Sequence, residues 1–151
     1  MTGDPLAEVR DRLAIADLVH AYAQRVDGHD GDGVAALFTE DGVLTIRARV
    51  GEAEPTGVRR GRGEIAAAIA GMDYRVTCHM VGNHQAVVEG DQATGETRGV
   101  AHHVVGPPGD DVDRVWYLRY LDSYRRTPDG WRIATRDLWL DFTADGRLST
   151  R

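Results

Sequence analysis

Lysine is absent: all 18 basic residues are arginine. That excludes an imine-forming side-chain amine, and with it the covalent carbonyl chemistry that needs one. Cysteine occurs once, at Cys78, which rules out an internal disulfide or a multi-cysteine zinc or iron–sulfur site and fits a reducing compartment. No apolar run approaches the ~20 residues of a membrane span. The opening "MTGDPLAEVR" lacks the basic-then-apolar pattern of a signal peptide. A cytoplasmic location and no membrane partner are the expectations. Positive charge is also short: the net charge is −6, the opposite of the field a phosphate-backbone binder presents, so nucleic acid is not an expected partner. Any catalysis falls to His, Asp, Glu, Tyr or Arg.

The 151 residues suit one domain, residues 1–151, able to bury about two thirds of its unfolded surface. Leu6, Val9, Leu13, Ala16, Leu18, Ala21, Tyr22 and Val26 recur near helical spacing, with Asp4 as N-cap and Pro5 in the first turn, so a long amphipathic helix is expected. "GDGVAALFTEDG" reads as a short second helix with Leu37 and Phe38 buried, closed by a turn at Asp41-Gly42. A strand "VLTIRARV", a loop from Gly51 to Gly61 and a third helix "GRGEIAAAIAGM" follow. From Tyr74 onward four long strand-like segments alternate with Gly-Asp, Pro-Pro-Gly-Asp-Asp and Pro-Asp-Gly turns, the pattern of an antiparallel meander. Helices first and a curled sheet afterwards predict an α+β domain, with the long helix on one sheet face and a concave small-molecule pocket.

Side chains two apart share a face of a strand. In "QATGETRGVAHHVVG" the row Ala93, Gly95, Thr97, Gly99, Ala101, His103 is small and uncharged until His103, and is expected to face inward; Glu96, Arg98 and His102 are expected outside. In the next strand Trp116, Leu118 and Tyr120 are expected pocket walls, with Asp122 further along the same row. The last strand is ambiguous, because Trp131, Ile133 and Trp139 share one parity and Arg136, Leu138 and Leu140 the other.

His79 is the principal chemical candidate, since imidazole titrates near neutral pH and a carboxylate on its other nitrogen would fix its tautomer. Asp27, five residues after Tyr22, stands at the helix C-terminus, where the dipole disfavours it. His102 and His103 point to opposite faces of a strand and cannot form a compact metal pair; no metal site is expected. Arg136 could hold an anionic oxygen.

The helix "AIADLVHAYAQRVDGHDGDGVAALFTEDGVL", the start "GRGEI", "CHMVGNH" and the terminal "DGWRIATRDLWLDF" together resemble the SnoaL-like branch of the nuclear-transport-factor-2-like superfamily, over nearly the whole chain. Within it the pattern is similar to the group of scytalone dehydratase, hexachlorocyclohexane dehydrochlorinase and bile-acid 7α-dehydratase. The resemblance implies a cone-shaped α+β half-barrel. It matches Asp27, His79 four residues before Asn83, and Arg136 to an Asp–His pair, an Asn and an Arg of the dehydrochlorinase, and Tyr22 to its lysine or to the bile-acid enzyme's tyrosine. It also turns Arg136, Leu138 and Leu140 inward, and it puts in the pocket the strand face that His79 and Asn83, four apart, share by parity, so that His84, of opposite parity, is expected outside.

The expectation that follows is a cofactor-independent, dehydratase-like lyase or isomerase acting on a hydrophobic cyclic oxygenated molecule. His79 would remove a proton, Asp27 would support the imidazolium, and Tyr22 or His103 would protonate the departing or enolic oxygen. Arg136 would hold substrate oxygen, and Asn83, Trp116, Leu118, Tyr120, Leu138 and Leu140 would line the pocket. Polyketide-cyclase-type ring closure and a non-catalytic binding or dimerisation module are the alternatives. A homo-oligomer, dimer or trimer, is expected from apolar residues such as Trp139 on the outer sheet face.

Overall fold

A computed structural model describes residues 5–48 and 54–148. Three helices, α1 (Pro5–Asp27), α2 (Gly31–Ala36) and α3 (Gly61–Ala70), pack with six strands, β1 (Phe38–Arg47), β2 (Gly57–Arg60), β3 (Val76–Glu89), β4 (Gln92–Val105), β5 (Val112–Thr127) and β6 (Gly130–Arg147). The strands form one sheet in the order β2-β1-β6-β5-β4-β3. Strands β3 to β6 make the expected antiparallel meander, and β1 closes on β6 in parallel. This is the α+β architecture the element order predicts.

Several boundaries differ. Strand β1 begins at Phe38 rather than Val43, and its register shifts between those two residues, so Asp41-Gly42 is an irregularity within the strand and not its preceding turn. Part of the expected loop pairs with β1 as β2. The expected N-cap Asp4, the strand end Arg49–Val50 and the loop start Gly51–Ala53 lie outside the described residues.

The helical stripe divides. Ile15, Leu18, Val19, Tyr22, Ala23 and Val26 are buried, whereas Leu6, Val9 and Leu13 are exposed, against the expectation that they pack inward. The helix outruns the surface it covers. Its first half is tied instead through Asp11, whose carboxylate accepts from both Arg126 Nη atoms at 2.8 and 2.7 Å and from Trp131 Nε1 at 2.9 Å. Helix α2 is capped by Asp30, which accepts from Gly33 N at 2.8 Å. It lies so close to α3 that a Cβ on Gly31 would sit 2.3 Å from the Ala66 carbonyl oxygen.

Irregularities in the ladders set which side chains face the helices. Between Ser123 and Tyr124 the β5–β6 register jumps from Thr135 to Ile133, leaving Ala134 as an extra residue. The inward row on β6 therefore runs Trp131, Ile133, then Arg136 and Leu138. The mixed parity of that strand has a β-bulge as its cause. Strand β3 shifts likewise between Gly82 and Gln85, with Asn83 at φ 50°. No described helix is long and apolar enough to cross a membrane.

Candidate active site

Asp27 is the last residue of α1, and the inner face of β3 meets it there. His79 Nδ1 and Asp27 Oδ1 are 2.7 Å apart, the His79 amide donates to Oδ2 at 2.9 Å, and the Thr77 hydroxyl donates to Oδ1 at 3.0 Å. Burial works against the charged form of Asp27, but these donors outweigh it and hold the carboxyl below its usual range. An ionised Asp27 places the imidazole hydrogen on Nδ1, leaving Nε2 as a lone-pair acceptor. The His79 side chain is 9% exposed and that of Asp27 26%.

His103 follows from its strand parity. It is buried, its ring meets that of His79 edge-on at 5.7 Å between centroids, and it lies between Tyr74 at 4.6 Å and Trp116 at 4.5 Å. His103 Nδ1 donates to the Arg114 carbonyl at 3.1 Å. Burial, chiefly, depresses its pKa, so the ring is neutral and its Nε2 accepts.

Tyr22, Tyr120 and Arg136 belong to a second cluster. The Arg136 side chain is fully buried; its Nε and Nη2 donate to Asp122 Oδ1 and Oδ2 at 2.9 and 2.7 Å. Its Cζ lies 4.1 Å from the Tyr22 ring centroid and 4.2 Å from that of Tyr120, and Tyr124 donates to Asp122 Oδ2 at 2.8 Å. Burial raises the pKa of Tyr22 and of Tyr120. Arg136 thus faces inward as the resemblance implies, with two of its three nitrogens committed to Asp122. Its Nη1 is buried with no hydrogen-bond partner among the described residues.

Leu118 and Leu138 are in the hydrophobic core, with Trp116 and Leu140 packed partly buried against it. Asn83 is a correction: it is exposed in the β3 bulge and does not share the face of His79. The extra residue reverses the phase, so His84, expected outside, turns inward and its Nδ1 meets Thr97 Oγ1 at 2.9 Å. Thr77, Tyr74, Asp122, Tyr124 and His84 complete the two clusters without having been singled out as site residues. Thr77 and Tyr124 were within reach of parity, standing two residues from His79 and Asp122; the bulge hid His84. Among the described residues no three His, Cys, Asp or Glu side chains converge to hold a metal ion.

The model of the SnoaL-like domain matches residues 7–137. A Mycobacterium tuberculosis protein described as uncharacterized, Rv2910c, is 30% identical over 133 residues, 87% of this chain and 86% of its own length. A solved Novosphingobium aromaticivorans structure, provisionally assigned as a scytalone dehydratase, superposes with a TM-score of 0.74 at 23% identity, covering 96% of this chain and 91% of its own. Hexachlorocyclohexane dehydrochlorinase LinA-type3 from Novosphingobium barchaimii gives a TM-score of 0.79 at 15% identity, covering 98% and 97%.

Proposed function

The chain belongs to the SnoaL-like domain family, and from that premise we propose that it is a dehydratase-like lyase or isomerase in which His79 moves a proton on a hydrophobic, cyclic, oxygenated small molecule. The contact between Asp27 and His79 carries this reading. Asp27 is held by ring, amide and hydroxyl together, so the imidazole has one orientation and presents Nε2 as base. Positioned general bases of this kind contribute ~10² to 10⁴-fold.

The proton taken by Nε2 has one short return route. His103 is neutral and donates its only N–H to a backbone carbonyl, and burial makes Tyr22 a weaker acid than free tyrosine. His79 itself therefore delivers the proton to the departing hydroxyl or to the enolic carbon. His103 Nε2 accepts a hydrogen bond from a substrate hydroxyl, with Trp116 and Tyr74 as flat apolar walls for a ring. Arg136 Nη1, buried and without a hydrogen-bond partner among the described residues, is the cationic donor left for a substrate oxygen. The dehydratase and dehydrochlorinase names of the fold neighbours support elimination.

A panel of cyclic β-hydroxy ketones, followed by the absorbance of the conjugated product, tests the proposal. His79→Gln is expected to lower turnover by ~10²-fold or more, and Asp27→Asn to lower it in the same direction. A His79→Gln protein with full turnover on a substrate the wild type accepts would sink the assignment.

A further inference from the structure

Helix α1 is apolar on two faces, and the sheet covers one of them. Leu6, Val9, Leu13, Ala16 and His20 follow the alternating three- and four-residue spacing of a coiled-coil seam. At 3.6 residues per turn they share an arc of about 80°, centred about 130° round the helix from the buried residues between Ile15 and Val26. Leu6, Val9 and Leu13 are 54%, 52% and 61% exposed. This half of the helix is anchored. Asp11, on the side of the helix away from Val9, is held by Arg126 and Trp131, so the stripe is presented to solvent in a fixed orientation. Ala86 and the exposed Val87 of β3 continue the apolar surface and, with the helix, bound a groove of about 590 Å³.

Charges beside the stripe separate it from the other exposed apolar surface. On the outer sheet face Phe142 stacks on Tyr117 at 4.3 Å between centroids, and Arg98 and Arg119 close on Asp141. Those groups have partners within the chain. Arg10 and Asp17 lie seven residues apart on one flank of the α1 stripe, both exposed, and neither makes an ion pair among the described residues. Two copies of α1 laid antiparallel with Leu13 against the partner's Ala16 bring each Arg10 beside the partner's Asp17, and a two-fold axis makes that pair twice. The register that sets Leu13 against the partner's Val9 instead opposes Arg10 to Arg10.

We propose that this stripe is the contact between two copies of the chain, related by a two-fold axis with their α1 helices antiparallel. Leu13 of each copy packs on the partner's Ala16, Val9 packs on the partner's His20, and the groove beside β3 takes the flank of the partner helix. The centre of the contact is about 20 Å along the helix from Asp27, so the dimer and the Asp27–His79 site stand or fall separately.

Sedimentation equilibrium of the full chain over ~1 to 100 µM, the range in which modest contacts assemble, is the test. The wild type is expected to be dimeric at the upper end. Leu13→Glu, a change at a position already in water in the single copy, should be monomeric throughout, whereas Phe142→Glu on the outer sheet face should dimerise like the wild type. Arg10→Asp should weaken the dimer about tenfold, and Arg10→Asp combined with Asp17→Arg should restore it. A wild type of any stoichiometry other than two, a Leu13→Glu protein that associates like the wild type, or a double charge exchange no tighter than Arg10→Asp would overturn the proposal. Circular dichroism checks each fold, and if Leu13→Glu is disturbed, the charge exchange decides alone.

Discussion

Arg136 shows how a single side chain can be positioned by several kinds of interaction at once. Its guanidinium is bidentate to Asp122 and lies between two tyrosine rings, where each desolvated cation–π contact contributes on the order of 2 kcal/mol. Burial disfavours its charge, and Asp122 more than restores it, raising the pKa further above the arginine norm. Removing one member of such a pair leaves the other charged and dry. Asp122→Leu is expected to cost about 3–5 kcal/mol, and the double change Asp122→Leu with Arg136→Met to recover most of it. Denaturant midpoints of both variants check this; a double variant as unstable as the single would refute it.

At the scale of elements, the helices and the four-strand meander were legible because apolar spacing and turn residues agree with the final packing. The inward rows of β4 and β5 were legible for the same reason. What periodicity could not supply was phase. One extra residue at Asn83 and another at Ala134 reverse which side of the strand faces the helices. A period-two rule therefore sent Asn83 inward and His84 outward, and left β6 undecided. The Asp27–His79 contact joins residues 52 apart, a pairing no local pattern encodes; the family resemblance carried it. Close approach of α2 to α3 was likewise invisible. Gly31→Ala would drive a Cβ into the Ala66 carbonyl, and a loss of about 1–3 kcal/mol is expected in urea unfolding. An unchanged midpoint would mean that α2 shifts without cost.

Across the whole molecule, acid should act in two stages. Burial, above all, depresses the pKa values of His84 and His103 below the usual 6.5. The unfolded chain then takes up those protons first, so stability declines as pH falls from about 6.5 toward the folded values. The carboxylates follow. Hydrogen bonds from Arg126 and then Trp131 lower Asp11 from 3.8 to about 2, and Asp27 is lowered too. Their contribution is present above the unfolded pKa and is lost as pH falls through the folded one. Urea midpoints taken at intervals from about pH 8 to 2.5 should show both declines, with His84→Gln and His103→Gln each shrinking the upper one. A midpoint flat between about pH 7 and 5 would contradict it.

The parallel seam between β1 and β6 also governs when the molecule can be made. Phe38 pairs with Ile133, and the Ile133 amide donates to the Leu37 carbonyl at 2.9 Å. During synthesis the first helices and β1 leave the ribosome long before the strand that completes them. Until β6 emerges, Phe38 and Leu44, both buried in the finished fold, lack that neighbour, and closing the seam spans most of the chain. Such distant contacts slow folding and prolong exposure to aggregation. The nascent N-terminal third is where a chaperone would be needed, and the last strand is what releases it.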